Sequence, residues 1–188
     1  MRAHRQIVLH QSIEELLHEP GCPLCRFLKD FQAIHLQGDS AREIHRLCNF
    51  HTWGVAAVQD AQAAADVFLT LVNENGSMAD QGRDCDVCRK VIDEEDRRIR
   101  ELVTLLGKPD IVRWLRMEAV FCIPHAVKLR QKVPLTLTAR IDAIIQKHRE
   151  QLNDELLQLR NDPSPDRSGY GALGRAAEFL VSQRGLRM

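Results

Sequence analysis

Long apolar runs are missing from this sequence; none exceeds a few residues, so no segment is expected to span a bilayer. An excess of either charge is missing too. The 26 Lys+Arg balance 26 Asp+Glu, and a formal net charge of zero provides no global field to gather a phosphate backbone or anionic lipid. Nucleic acid and membrane are therefore unexpected partners. The opening MRAHRQIVLHQS has charge but neither an apolar core nor a small-residue cleavage site, which points to a cytoplasmic protein. No GxGxxG, P-loop, HExxH or GxSxG motif occurs, and no stretch alternates as a strand would. Without a catalytic constellation, an enzyme is the less favoured expectation.

Cysteine is present, and its placement is ordered. The six cysteines fall in Cys22-Pro-Leu-Cys25, Cys48-Asn-Phe-His51, Cys85-Asp-Val-Cys88 and Cys122-Ile-Pro-His125, with none left over. The chain is 188 residues long, large enough to fold without a disulfide framework, and such pairs in a reducing compartment read as metal ligands. A CxxC turn aims two thiolates at one point, and CxxH does the same with one imidazole. One of each makes a closed tetrahedral set for zinc with no open position, which is the mark of a structural site.

The order CxxC, CxxH, CxxC, CxxH is an internal duplication. Both CxxC pairs are followed by Arg, as CPLCR and CDVCR, although 22 residues separate CxxC from CxxH in the first half and 33 in the second. Repeat order favours sequential pairing, Cys22, Cys25, Cys48 and His51 in one set and Cys85, Cys88, Cys122 and His125 in the other. Spacing also allows a crossed arrangement in which Cys22 and Cys25 join Cys122 and His125. Iron–sulfur clusters are the alternative to two zinc ions, since one His can replace a thiolate, and they would imply electron transfer or redox sensing.

Period and capping signals predict an all-α protein: one helical bundle domain over 1–188, with a first CxxC/CxxH module over 12–72, a second over 85–130 and C-terminal helices over 136–188. Ser12 and Glu15 fit a capping box opening a helix to about His18, and Ser40 and Glu43 fit another. A helix after CPLC breaks at Gly38-Asp39, and an Ala-rich helix runs from Trp53 to about Val72. NENGSMADQGRD forms the dividing loop, Asp86 to Leu106 a helix, and Asp110 to Val120 a short one. Leu137, Ile141, Ile144, His148, Leu152, Leu156 and Leu159 make one apolar stripe on the longest helix, about Leu137 to Arg160. A hinge at Asp162-Pro-Ser-Pro-Asp precedes a last amphipathic helix over Tyr170 to Gln183. His35 and His45 read as helix-surface residues, His148 as a core or rim histidine, and Asp93 to Asp96 beside Arg97 and Arg98 as a solvated face. Arg175, Arg184 and Arg187 border apolar residues on the last helix, where a protein partner or a second copy could dock, as it could on the long helix.

At the four Cys/His pairs the chain resembles an uncharacterised bacterial family whose members carry CPxCR, a G-F-C-x-x-H-like motif, a second CPxCR and a second CxxH. The closing GALGRAAEFLVSQRGL is similar to that family's terminal helix and glycine-containing tail. Two departures stand out: Asp86 replaces the usual Pro in the second CxxC, and Leu47 and Val120-Phe121 replace the Gly approach to CxxH. Neither removes a ligand. The resemblance implies metal binding and names no substrate, so an interaction or accessory module is the expected role.

Overall fold

A computed structural model of the chain describes residues 12–73, 84–110, 120–161 and 167–182. All regular structure among them is helical: α1 Ile13–Leu16, α2 Pro23–His35, α3 Gly38–Arg42, α4 Asn49–Val58, α5 Ala61–Asn73, α6 Asp86–Leu106, α7 Ile123–Arg130, α8 Leu135–Asn161 and α9 Arg167–Val181. The all-α expectation therefore holds, and none of these helices is long and apolar enough to cross a membrane.

The chain divides into two compact units. One holds the described residues between 28 and 96, and the other holds 12–27 together with 97–182. In the first unit α3 and α4 pack on α5, around buried Leu36, Ala41, Ile44, Leu47, Val55 and Val67. In the second, α7, α8 and α9 pack against one another. Its core includes Ile13, Leu24, Phe27, Ile99, Leu102, Phe121, Leu129 and Ile141, each almost without exposed surface. The Arg98 guanidinium lies 3.9 Å from the centre of the Phe27 ring, a cation–π contact within this unit.

Local signals explain most boundaries. The Ser12 capping box forms with both of its hydrogen bonds, seating Ile13 and Leu16 in the core. Gly38, at φ 56°, takes the left-handed conformation that separates α2 from α3. The Ser40–Glu43 capping box does not form. The helix starts earlier, with Gln37 as N-cap, and Glu43 is its C-cap; the left-handed Gly38 begins the turn ahead of Ser40. The helix expected from Trp53 to Val72 is two. It begins at Asn49 and is interrupted where Gln59 is extended, and the Asp60 carboxylate accepts from the Ala63 N–H at 2.8 Å to cap α5.

Asp86 to Leu106 is helical as expected, and the longest helix exceeds its expected span by a residue or two at each end. On the latter the apolar stripe is real: Ile141, Ile144 and Leu152 are buried, and Leu137, His148, Leu156 and Leu159 are half-buried. The acidic run on α6 is not a solvated face. Glu94 and Glu95 are buried at 9% and 3% exposure, while Asp93 and Asp96 are exposed. At about 100° per residue, four consecutive positions go right round the helix and cannot share one side. The dividing loop, the short helix over 110–120, the hinge over 162–166, and Arg184 and Arg187 lie wholly or mostly outside the described residues.

Candidate metal centres

All four x2-spaced pairs sit at helix N-termini in one register. Cys48 and Cys122 are the N-caps of α4 and α7, and Cys22 and Cys85 directly precede α2 and α6. The second ligand of each pair is the third helical residue. The first helical hydrogen bonds confirm this register: Arg26 N–H donates to the Cys22 carbonyl, Thr52 to Cys48, Arg89 to Cys85 and Ala126 to Cys122, at 2.9–3.1 Å. N-cap and third-position side chains converge on the space before the helix, where unsatisfied N–H groups make the potential positive. The local sequence thus aims each donor pair at the space before its helix.

The pairs combine in the crossed arrangement. Cys22, Cys25, Cys122 and His125 form one group, and Cys48, His51, Cys85 and Cys88 form the other. The sequential pairing preferred from repeat order is therefore corrected. Within each group the four donor atoms lie within 4.8 Å of one another, and all eight residues are buried. All four residues of the first group belong to the unit containing 12–27 and 97–182, and those of the second to the unit holding residues 28–96.

The side-chain geometry is that of a tetrahedral cage. In the Cys22 group, His125 Nδ1 is 3.4 Å from the sulfurs of Cys22 and Cys25 and 3.1 Å from that of Cys122; Cys25 and Cys122 sulfurs are 3.5 Å apart. In the Cys48 group, His51 Nδ1 is 3.3 Å from Cys48 and Cys85 and 3.4 Å from Cys88, with 3.8 Å between the Cys48 and Cys88 sulfurs. Donors placed ~2.3 Å (sulfur) and ~2.0 Å (nitrogen) from one zinc ion in a tetrahedron stand roughly 3.5–3.8 Å apart. The distances just given match that size or are slightly shorter, and the remaining donor pairs lie within 4.8 Å. The donor set fits a thiophilic ion.

Thiol acidity is uneven within the Cys22 group. Burial opposes ionisation of Cys22, but hydrogen bonds from Cys122 and Cys25 and the charge of His125 outweigh it and hold this thiol well below its usual range. Hydrogen bonding to Cys122 and Cys22 pushes Cys25 up, with burial adding to the effect. Hydrogen bonding with Cys22 likewise raises Cys122. In the other centre burial again opposes ionisation, yet the His51 hydrogen bond lowers Cys85. A cation placed among these sulfurs would offset the mutual repulsion of several thiolates.

A bridge of backbone and side chain explains the crossed pairing in the Cys48 centre. The Asp86 carboxylate accepts from the N–H groups of His45 and Arg46, each at 3.0 Å, and the Asp86 N–H donates to the Arg46 carbonyl at 3.0 Å. The segment approaching Cys48 is thereby fastened to the Cys85–Cys88 turn. A proline at position 86 has neither that carboxylate nor that N–H.

The Cys22 centre borders a cleft of about 550 Å³, whose lining includes Cys22, Cys25 and Cys122. Its lining also includes residues of α8 and α9, with His148, Gln151 and Glu155 on one and Arg175 and Phe179 on the other. Arg175 pairs with Glu155 at 2.7 Å, and the His148 ring meets the Phe179 ring edge-on at 5.1 Å. Burial lowers the His148 pKa. Sequence reasoning placed His148 on a core stripe and missed this cleft, whose walls come from segments over a hundred residues apart. Neither His35 nor His45 joins a centre: His35 Nδ1 hydrogen-bonds the Phe31 carbonyl of its own helix at 3.0 Å, and His45 is exposed. No protein-family model, curated protein or solved structure matches the chain.

Proposed function

We propose that the protein is a zinc-binding helical module holding two structural ions, one in each three-Cys, one-His cage, and that it serves as an interaction or accessory factor. The observation that carries this reading is the gathering of all eight x2-spaced ligands into two buried groups with donor atoms within 4.8 Å. That spacing favours a single ion over an iron–sulfur cluster, because a cluster puts several irons between its ligands and spreads them beyond one tetrahedron. With three thiolates and a neutral imidazole per divalent ion, each centre keeps a net charge of −1, and the cages have no vacant corner for substrate activation. The ions would fasten helix N-termini together, contributing on the order of 10 kcal/mol per site. Metal analysis after anaerobic purification tests the reading: two zinc per colourless chain supports it, whereas brown protein containing iron and acid-labile sulfide overturns it.

The interaction role draws on the last helix. Ala172 and Phe179 are buried, while Leu173, Leu180 and Val181 are 52–70% exposed. One face of α9 is spent on the core, and apolar side chains remain on the other. We assign that outer face to a protein partner or a second copy.

A further inference from the structure

The two centres differ in what lies beside them. Cys22 and Cys88 are the most exposed cysteines of their centres, at 9% and 7%, but it is Cys22 that lines the 550 Å³ cleft, together with Cys25 and Cys122, and no cysteine of the other centre does. That volume suits a small organic molecule and far exceeds a diatomic or a peroxide. Phe179 and Val120 offer apolar wall, and the Gln151 amide offers a donor. Arg175 and Glu155 neutralise each other there, so the cleft has no strong preference for a free anion. Its lining includes Cys22, whose sulfur as a zinc-bound thiolate is a soft nucleophile. Carbon electrophiles of matching softness and size are conjugated carbonyl compounds.

We propose that the cleft admits small α,β-unsaturated carbonyl compounds to Cys22, making this centre a covalent modification site. The inference rests on the thiolate-metal reading above. In the step, a lone pair of Cys22 Sγ forms a bond to the β-carbon of the alkene. The π pair of the alkene shifts to give an enolate, and water supplies the proton that completes the α-carbon. No oxidant is needed and no group leaves. The resulting thioether has no negative charge, so the Cys22 cage holds its ion far less well, while the Cys48 cage is untouched.

The test uses the full-length, metal-loaded chain and limiting N-ethylmaleimide, with adducts mapped by mass spectrometry and released zinc followed by a colorimetric indicator. The Cys22 adduct is expected at least about tenfold faster than adducts at Cys48, Cys85 or Cys88, a difference of roughly 1.4 kcal/mol in barrier, with one ion released per adduct. Equal labelling of both centres, or labelling of the Cys48 centre first, overturns the inference. Gln151→Trp, at an exposed position that is not a ligand, narrows the cleft and is expected to slow Cys22 labelling while metal content and helicity stay unchanged. Undiminished labelling in that variant overturns the cleft as the route. Zinc content measured beforehand separates the two readings: a chain without metal contradicts the proposed function, and two zinc with uniform labelling contradicts only this inference.

Discussion

Asp86 and Arg46 are bonded in both directions: the Asp86 carboxylate accepts the Arg46 N–H and the Asp86 N–H donates to the Arg46 carbonyl, each at 3.0 Å. This reciprocal pair ties the approach to Cys48 to the turn that carries Cys85 and Cys88. Asp86→Ala loses the carboxylate but keeps the N–H, and is expected to cost about 1–2 kcal/mol in denaturant unfolding. Asp86→Pro also loses the N–H and should weaken metal retention at the Cys48 centre while sparing the Cys22 centre. Asp86→Asn, which keeps an acceptor, should lie close to wild type. Unfolding curves for Asp86→Ala that superimpose on wild type would count against the bridge.

His148 supplies a pH signature. Burial is the main cause of its lowered pKa, reinforced by the Arg175 charge and opposed by Gln151 and Glu155. The fold therefore prefers the neutral ring. Its contribution to stability is complete above the ordinary value of about 6.5 and is lost as pH falls through the depressed folded value. Thermal midpoints measured from pH 7.5 to 5 should drop less steeply in His148→Gln than in wild type. Parallel curves would remove His148 as a source of acid sensitivity.

Chelation should act as a denaturant. Strong zinc chelators are expected to abolish much of the far-ultraviolet helical signal and the cooperative thermal transition, and restored zinc should recover both. A chain stripped of metal that still melts cooperatively at its original temperature would show that the cages do not organise the fold.

Much of this architecture was legible in the sequence, for reasons that are local. The four Cys/His pairs were readable because CxxC and CxxH are helix-start geometry written at fixed spacing, and α6 and α8 because their period and end signals agree. Asp60 was passed over because an Ala-rich run favours helix on both sides of it, although its carboxylate caps the second half. Glu94 and Glu95 were misread because a charge run gives composition, and the angle around the helix decides burial. The pairing of the cages was beyond local reasoning. Repeat order suggested neighbours in sequence, and the choice was settled in space, with Asp86 holding the Cys48 approach to a turn forty residues onward.

The exposed face of α9 makes a separate prediction. If it binds a second copy, sedimentation equilibrium should reveal concentration-dependent dimerisation, and Leu180→Lys should abolish it with a change in stability within about 0.5 kcal/mol, as for an ordinary surface position. A wild-type chain that stays monomeric at high concentration contradicts self-association through this face.

The crossed cages are the central claim, and metal counting in double variants addresses them most directly. Cys25→Ser with Cys122→Ser damages one cage twice, whereas Cys25→Ser with Cys48→Ser damages both cages once. After dialysis against a chelator too weak to strip wild type, the first variant should retain one zinc per chain and the second none. A first variant with none and a second with one would contradict the crossed pairing and restore the sequential one.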